Sequence, residues 1–172
     1  MMLTPEMTSF DALRKNYHDE ARITRTFLER LPDDRLDWQP HPKSMTLRSL
    51  AVHLAEIPGW PTMVLNTEGI DFAASSYTAT PVAGKADLLA LFDQNLAVGE
   101  QQLAQARPDE LSKAWPMRMG EQVLVAKSKL ANLQDVVHQT IHHRAQLGVY
   151  FRLLDVPVPA TYGPSADDNT GW

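Results

Sequence analysis

The sequence predicts an all-α protein, a four-helix bundle. Three observations lead there: four long segments whose apolar residues recur three and four positions apart, Pro- and Gly-containing breaks between them, and no convincing run of alternating apolar and polar residues. A chain of 172 residues is long enough for one full hydrophobic core and short for two, so a single domain over residues 1–172 is expected.

The first helix should run from about Met7 to Leu31, with Phe10, Leu13, Tyr17, Ala21, Thr24, Phe27, Leu28 and Leu31 on one face, and end at Leu31-Pro32. Pro32 to Met45 holds three prolines, Trp38 and His41 and reads as a long ordered loop. It leads to Thr46, an N-cap for the second helix, which carries His53 and is interrupted at Pro58-Gly59, with Trp60 to Asn66 continuing after a kink. Gly69 to Gly84 is small and polar and reads as surface loop. The third helix spans about Ala86 to Ala106 with Leu88, Leu89, Leu91, Phe92, Leu96 and Leu103 as its stripe, closed by Pro108. Trp115-Pro116 and Gly120 then break any helical pattern, leaving a connection with room for a short extended piece. The fourth helix is expected from Val123 or Leu124 to Leu154, and the segment from Val156 to Trp172, with Tyr162 and Trp172, as an irregular tail wrapped over the body.

Composition narrows the function classes. With 44% hydrophobic and 22% charged residues the chain reads as an ordinary globular protein, and no apolar stretch approaches the ~20 residues of a membrane span. No basic and then apolar leader opens the sequence, so a cytoplasmic location is expected by default. A net charge of -5 disfavours binding to a phosphate backbone, and nucleic acid is not an expected partner. Zero cysteines exclude thiolate ligands and leave any metal to His, carboxylate or amide donors.

Chemistry concentrates in His138-Gln139-Thr140-Ile141-His142-His143, followed by Arg144-Ala145-Gln146, within the fourth helix. Residues four apart share a helical face, so either His138 with His142 or Gln139 with His143 forms the inward pair. A third ligand must come from elsewhere, with His18, His41 and His53 as the histidine candidates. At roughly 100° per residue from Leu130, the apolar residues of this helix centre at roughly 280°. Gln139 and His143 then flank that stripe at roughly 180° and 220°, whereas His138 and His142 point away. Periodicity favours Gln139 and His143, and ligand chemistry favours the two imidazoles. Arg144 reads as a structural salt-bridge or capping residue, and Gln146 equally as a side chain able to orient an imidazole or as part of a solvated face.

Several short runs resemble the DinB/YfiT-like family of metal-dependent enzymes. They are Leu31-Pro32 with Leu36-Asp37-Trp38 and Pro40-His41-Pro42, then Leu50-Ala51-Val52-His53-Leu54 and Trp60, His142-His143-Arg144-Ala145-Gln146-Leu147, and finally Val156-Pro157-Val158-Pro159 with Tyr162-Gly163-Pro164-Ser165. The resemblance implies a four-helix bundle, often dimeric, holding a divalent metal through one histidine of the second helix and two of the last in the pattern H-x-x-x-H-R-G-Q. By position the ligands are His53 and His143, with Gln139 where the family has its middle histidine and Ala145 in place of the family's glycine. Helical phase and family register agree on His53, Gln139 and His143, with zinc or nickel as the expected metal. The implied activity is that of a thiol-dependent transferase or a hydrolase acting on a small molecule, with a low-molecular-weight thiol as a partner and a homodimer as the assembly. Glu56, three residues after His53 on the same face, reads as a general base, as a hydrogen-bond partner behind the ligands, or as a solvated carboxylate. The alternative is a non-catalytic dimeric binding or stress-response module with a weakened metal site.

Overall fold

The first long helix is set by its cap. In the computed structural model, which describes residues 8–170, α1 covers Ser9–Glu29, and Thr8 and Asp11 form a reciprocal capping box at its start. Met7 and Trp172, expected in the first helix and in the tail, lie outside the described residues. Leu13, Tyr17, Ala21, Thr24, Phe27 and Leu28 form the buried face, as their spacing predicts. After a short turn at Asp33–Arg35, Thr46 caps α2 (Leu47–Glu56) by accepting from the Ser49 N–H at 3.1 Å. A tight turn over Ile57–Gly59 joins it to α3 (Trp60–Asn66), since Pro58 has no N–H to carry the α-helical ladder onward.

α4 spans Lys85–Gln105 and α6 spans Lys129–Leu153. α1 packs on α4 and α6, and α2 packs on the same two helices from the other side, which closes the four into a bundle. Phe92, Leu28, Leu54, Leu133 and Phe151 lie fully buried at its centre. α6 ends in a left-handed residue, Asp155 at φ 56°, with the Val156 N–H on the Phe151 carbonyl at 2.9 Å and the Asp155 N–H on Arg152 at 3.4 Å. Among the described residues no helix is long and apolar enough to cross a membrane.

The expectation of an all-α chain needs correction. A small sheet of order β1-β2-β3 joins Ile70–Asp71 in parallel to Ala114–Met119, which pairs antiparallel with Gln122–Ser128. A four-residue helix α5, Pro108–Leu111, precedes the second strand, so Pro108 opens a helical turn as well as closing α4. The fourth long helix accordingly starts at Lys129, six residues past Val123, and not at Val123 or Leu124. Val123, Leu124 and Val125 are exposed strand residues, and Ser128 caps α6 by accepting from the Ala131 N–H at 3.2 Å. The physical reason is local: Gly120 at φ 61° forms the two-residue turn between Met119 and Gln122, and the β-branched run after it suits a strand. The sheet is pinned to the bundle through Trp115, fully buried, whose Nε1 donates to Thr67 Oγ1 at 2.9 Å and whose carbonyl accepts from Asn132 at 3.1 Å.

The tail is irregular, as expected, and polar contacts hold it down. Arg30 bonds Asp168 at 2.8 Å, Arg152 bonds Asp167 at 2.6 Å, and the Tyr162 hydroxyl donates to Glu20 while accepting from Arg144, both at 2.8 Å.

Candidate functional site

α6 presents successive residues to different neighbours. Arg144 points at α1, where it is 2% exposed, forms an ion pair with Glu20 at 2.5 Å and donates to Thr24 at 3.3 Å. His143, one residue and about 100° earlier, therefore turns toward α2. There its Nε2 lies 3.1 Å from Nε2 of His53, the two rings edge to face with centroids 4.5 Å apart. Gln139, one turn before His143, brings its Oε1 to 3.1 Å from the same Nε2. His143 thus reaches both Gln139, its partner by helical phase, and His53, the residue added by the family register, while Gln139 itself is exposed. His138 and His142 do not join them: both are exposed, His138 turned to Asp135 at 3.5 Å and His142 to Gln146 at 3.2 Å. Of the remaining histidines, His18 pairs with Glu100 at 2.7 Å and His41 accepts from the Lys43 N–H at 3.1 Å within its own loop.

Both meeting imidazoles are half-buried, and burial holds each below its ordinary value by penalising the cation. His143 adds to this at His53, and the charge of Glu56 works in the opposite direction there. At His143 the Gln146 hydrogen bond pulls upward and His142 downward. The Gln146 Oε1 lies 2.9 Å from His143 Nδ1, on an otherwise exposed side chain. Among the described residues no three side chains drawn from His, Cys, Asp and Glu converge as a metal cluster. The third donor at this place is an amide.

Glu56 sits on the His53 helix and both its carboxylate oxygens are engaged. It accepts from the Tyr77 hydroxyl at 2.6 Å and from the Thr80 N–H and hydroxyl at 3.0 and 2.8 Å. Desolvation, followed by that bond to Glu56, pushes the Tyr77 hydroxyl up to about 12. The segment after β1 is thereby tied to the end of α2. Nothing in the small polar run from Gly69 to Gly84 marks Tyr77 or Thr80 as rim residues, because their partner is distant in sequence. Trp60, which packs edge-on against the His53 ring at 5.4 Å between centroids, was within reach of a sequence reading: it lies seven residues on, two turns along the same face if the kink at Pro58 is small.

The bundle thus brings an imidazole from each of two facing helices to one point. The comparisons with known proteins bear on the fold and the family. The sequence model of the DinB family matches residues 7–172, so the chain belongs to the DinB family. Among solved structures, a DinB-like protein of Bacillus cereus is similar at a TM-score of 0.68 and 18% identity, covering 88% of this chain and 97% of its own. A DinB-like protein of Bacillus subtilis gives 0.64 and 17% over 91% of this chain and 98% of its own. At such identities the likeness speaks for the fold. Among curated proteins no significant match is found.

Proposed function

We propose that this protein is a metal-dependent enzyme acting on a small molecule, with zinc or nickel held between α2 and α6 by His53 Nε2, His143 Nε2 and Gln139 Oε1. The observation that carries the reading is the position of His143 between two amide oxygens. Gln146 Oε1 faces its Nδ1 at 2.9 Å and Gln139 Oε1 faces its Nε2 at 3.1 Å. Burial favours the neutral ring, which has one proton for two oxygens. With the Gln139 amide oxygen turned inward, the nitrogen without the proton faces an oxygen lone pair to lone pair, and a cation on the Nε2 side, shared with His53, satisfies both. The spacing agrees as well. Donors in a tetrahedral zinc site lie about 3.3 Å apart for bonds near 2.0–2.1 Å, against 3.1 Å from His143 Nε2 to both His53 and Gln139.

Three neutral ligands leave such a cation its full charge, with which it lowers the pKa of water or a thiol and polarises a carbonyl. That chemistry suits a transferase using a low-molecular-weight thiol, or a hydrolase. Gln146 holds the His143 proton on Nδ1, and Trp60 walls His53 on one side. Glu56 is the general base of this reading, released for that work when Tyr77 and Thr80 give up their bonds to it. Until then its charge acts on His53, and its accepted bonds keep the two rim residues in place. The homodimer and cytoplasmic location expected above belong to the same proposal.

Elemental analysis of protein purified without a metal-affinity tag tests it. About one equivalent of a transition metal per chain is the expected result, and a thiol-transfer screen follows from it. No uptake, even after adding zinc or nickel, overturns the reading in favour of a non-catalytic binding module.

A further inference from the structure

Whether His143 Nε2, which faces His53, carries a lone pair or a proton depends on how the Gln146 amide is turned. With its oxygen toward His143 Nδ1, the ring must carry its proton there and keeps a lone pair on Nε2. Turned over by 180°, the amide would offer its amino group instead, and the proton would move to Nε2, filling the position that faces His53 and Gln139. The two orientations differ little in shape, so a neighbour must select between them. His142 is that neighbour: its Nε2 lies 3.2 Å from the Gln146 amino nitrogen. On α6 the three residues stand at i, i+1 and i+4, which lets Gln146 reach both rings from one turn above.

We infer that His142, exposed on the outer face of α6 and outside the ligand set, is a positioning residue. It accepts a hydrogen bond from the Gln146 amino group, holds the amide oxygen toward His143 and fixes the His143 tautomer with its Nε2 lone pair directed into the site. The chain is ordered throughout, from amino group to His142 Nε2 and from His143 Nδ1–H to amide oxygen, so reversing one member reverses all. The consequence for metal affinity rests on the function proposed above, whereas the tautomer is a property of the metal-free protein.

The experiment is long-range proton–nitrogen NMR of the 15N-labelled, metal-free protein at a pH where imidazoles are neutral, paired with zinc competition against a chromophoric chelator. His143 is expected as the Nδ1–H form in the parent protein and in His142→Glu, whose carboxylate still accepts, and to move toward the Nε2–H form in His142→Lys, which can only donate. Zinc affinity should fall about tenfold in His142→Ala, the low end for an outer hydrogen-bond partner because the pair is exposed. In a Gln146→Glu background, where either oxygen accepts from Nδ1–H, His142→Ala should cost nothing further. A parent protein in the Nε2–H form, a tautomer indifferent to His142→Lys, or an undiminished cost of His142→Ala beside Gln146→Glu would each overturn the inference. Should the protein take up no zinc at all, the proposed function fails while the tautomer measurement still decides this point.

Discussion

Removing Arg144 tests how α6 is locked in the rotation that turns His143 toward α2. Its side chain is 3% exposed and that of Glu20 is 10% exposed, at 2.5 Å from each other. The guanidinium also donates to the Glu20 carbonyl at 3.2 Å, to Thr24 at 3.3 Å and to Tyr162 at 2.8 Å. In Arg144→Met the buried carboxylate of Glu20 keeps only Tyr162, and an unpaired buried charge of this kind costs about 3–5 kcal/mol. For a chain of this size each kcal/mol is about 2–4 °C in Tm, so a fall of roughly 10 °C is expected in thermal unfolding, with a matching drop in urea midpoint. The double variant Glu20→Leu/Arg144→Met removes both charges and should lose less than either single variant. A single-variant cost below about 1 kcal/mol, or a double-variant cost equal to the sum of the singles, would refute the argument that this pair acts as one buried unit.

Further expectations concern the site and the packing. His53→Ala and His143→Ala should each abolish zinc uptake measured by equilibrium dialysis, while Gln139→His tightens it; retention by His143→Ala would show that α6 supplies its ligands from the other face. Because the folded protein disfavours protonation of His53 and His143, the unfolded chain binds more protons as pH falls through the ordinary imidazole value of about 6.5, and stability drops with it. Metal-free protein should therefore melt lower at pH 5.5 than at pH 7.5, by a margin that shrinks in His53→Phe/His143→Leu; an equal margin in both would place the effect elsewhere. Gly99 lets α4 approach the turn at Pro58 closely: an added Cβ would sit 2.1 Å from the Pro58 carbonyl and 2.2 Å from the Tyr17 hydroxyl that donates to it. Gly99→Ala should cost about 2–3 kcal/mol in denaturant unfolding, at the upper end of overpacking because one obstacle is backbone.

The long helices were legible because each buries one stripe, and a stripe of one face repeats at the helical period whatever it packs against. α1 and α4 follow their apolar residues closely, and Thr46 marks the start of α2 by its side-chain oxygen alone. Of the sheet only the short extended piece before Gly120 was legible, where β2 lies, because the strands carry no alternation to read. β1 has two residues, β2 contains a proline, and β3 is exposed along nearly its whole length, so no inner and outer face separates Val123 from Leu124. An apolar run that abuts a helix looks like its first turns unless the cap is weighed, and Ser128 was the residue to weigh.

The error at the start of α6 left the site untouched, and the reason is the rigidity of the helix. Within a continuous ladder the angular relation among positions 139, 142, 143 and 144 is set by 3.6 residues per turn, independent of where the first turn forms. The buried set Leu133, Val136, Val137, Thr140, Arg144 and Leu147 fixes the phase, and Gln139 and His143 follow on its flank. Arg144 is the member that hydropathy places worst, since a guanidinium counts as polar and yet lies buried against α1 through Glu20. At about 320° it falls on the same face that the apolar residues alone centre at roughly 280°, so its ion pair reinforces a rotation they already favour. The ion pair at position 144 thus acts on the site without touching it: it braces the rotation in which position 143 meets His53, position 139 brings its amide to the same nitrogen, and position 142 stays exposed beside Gln146.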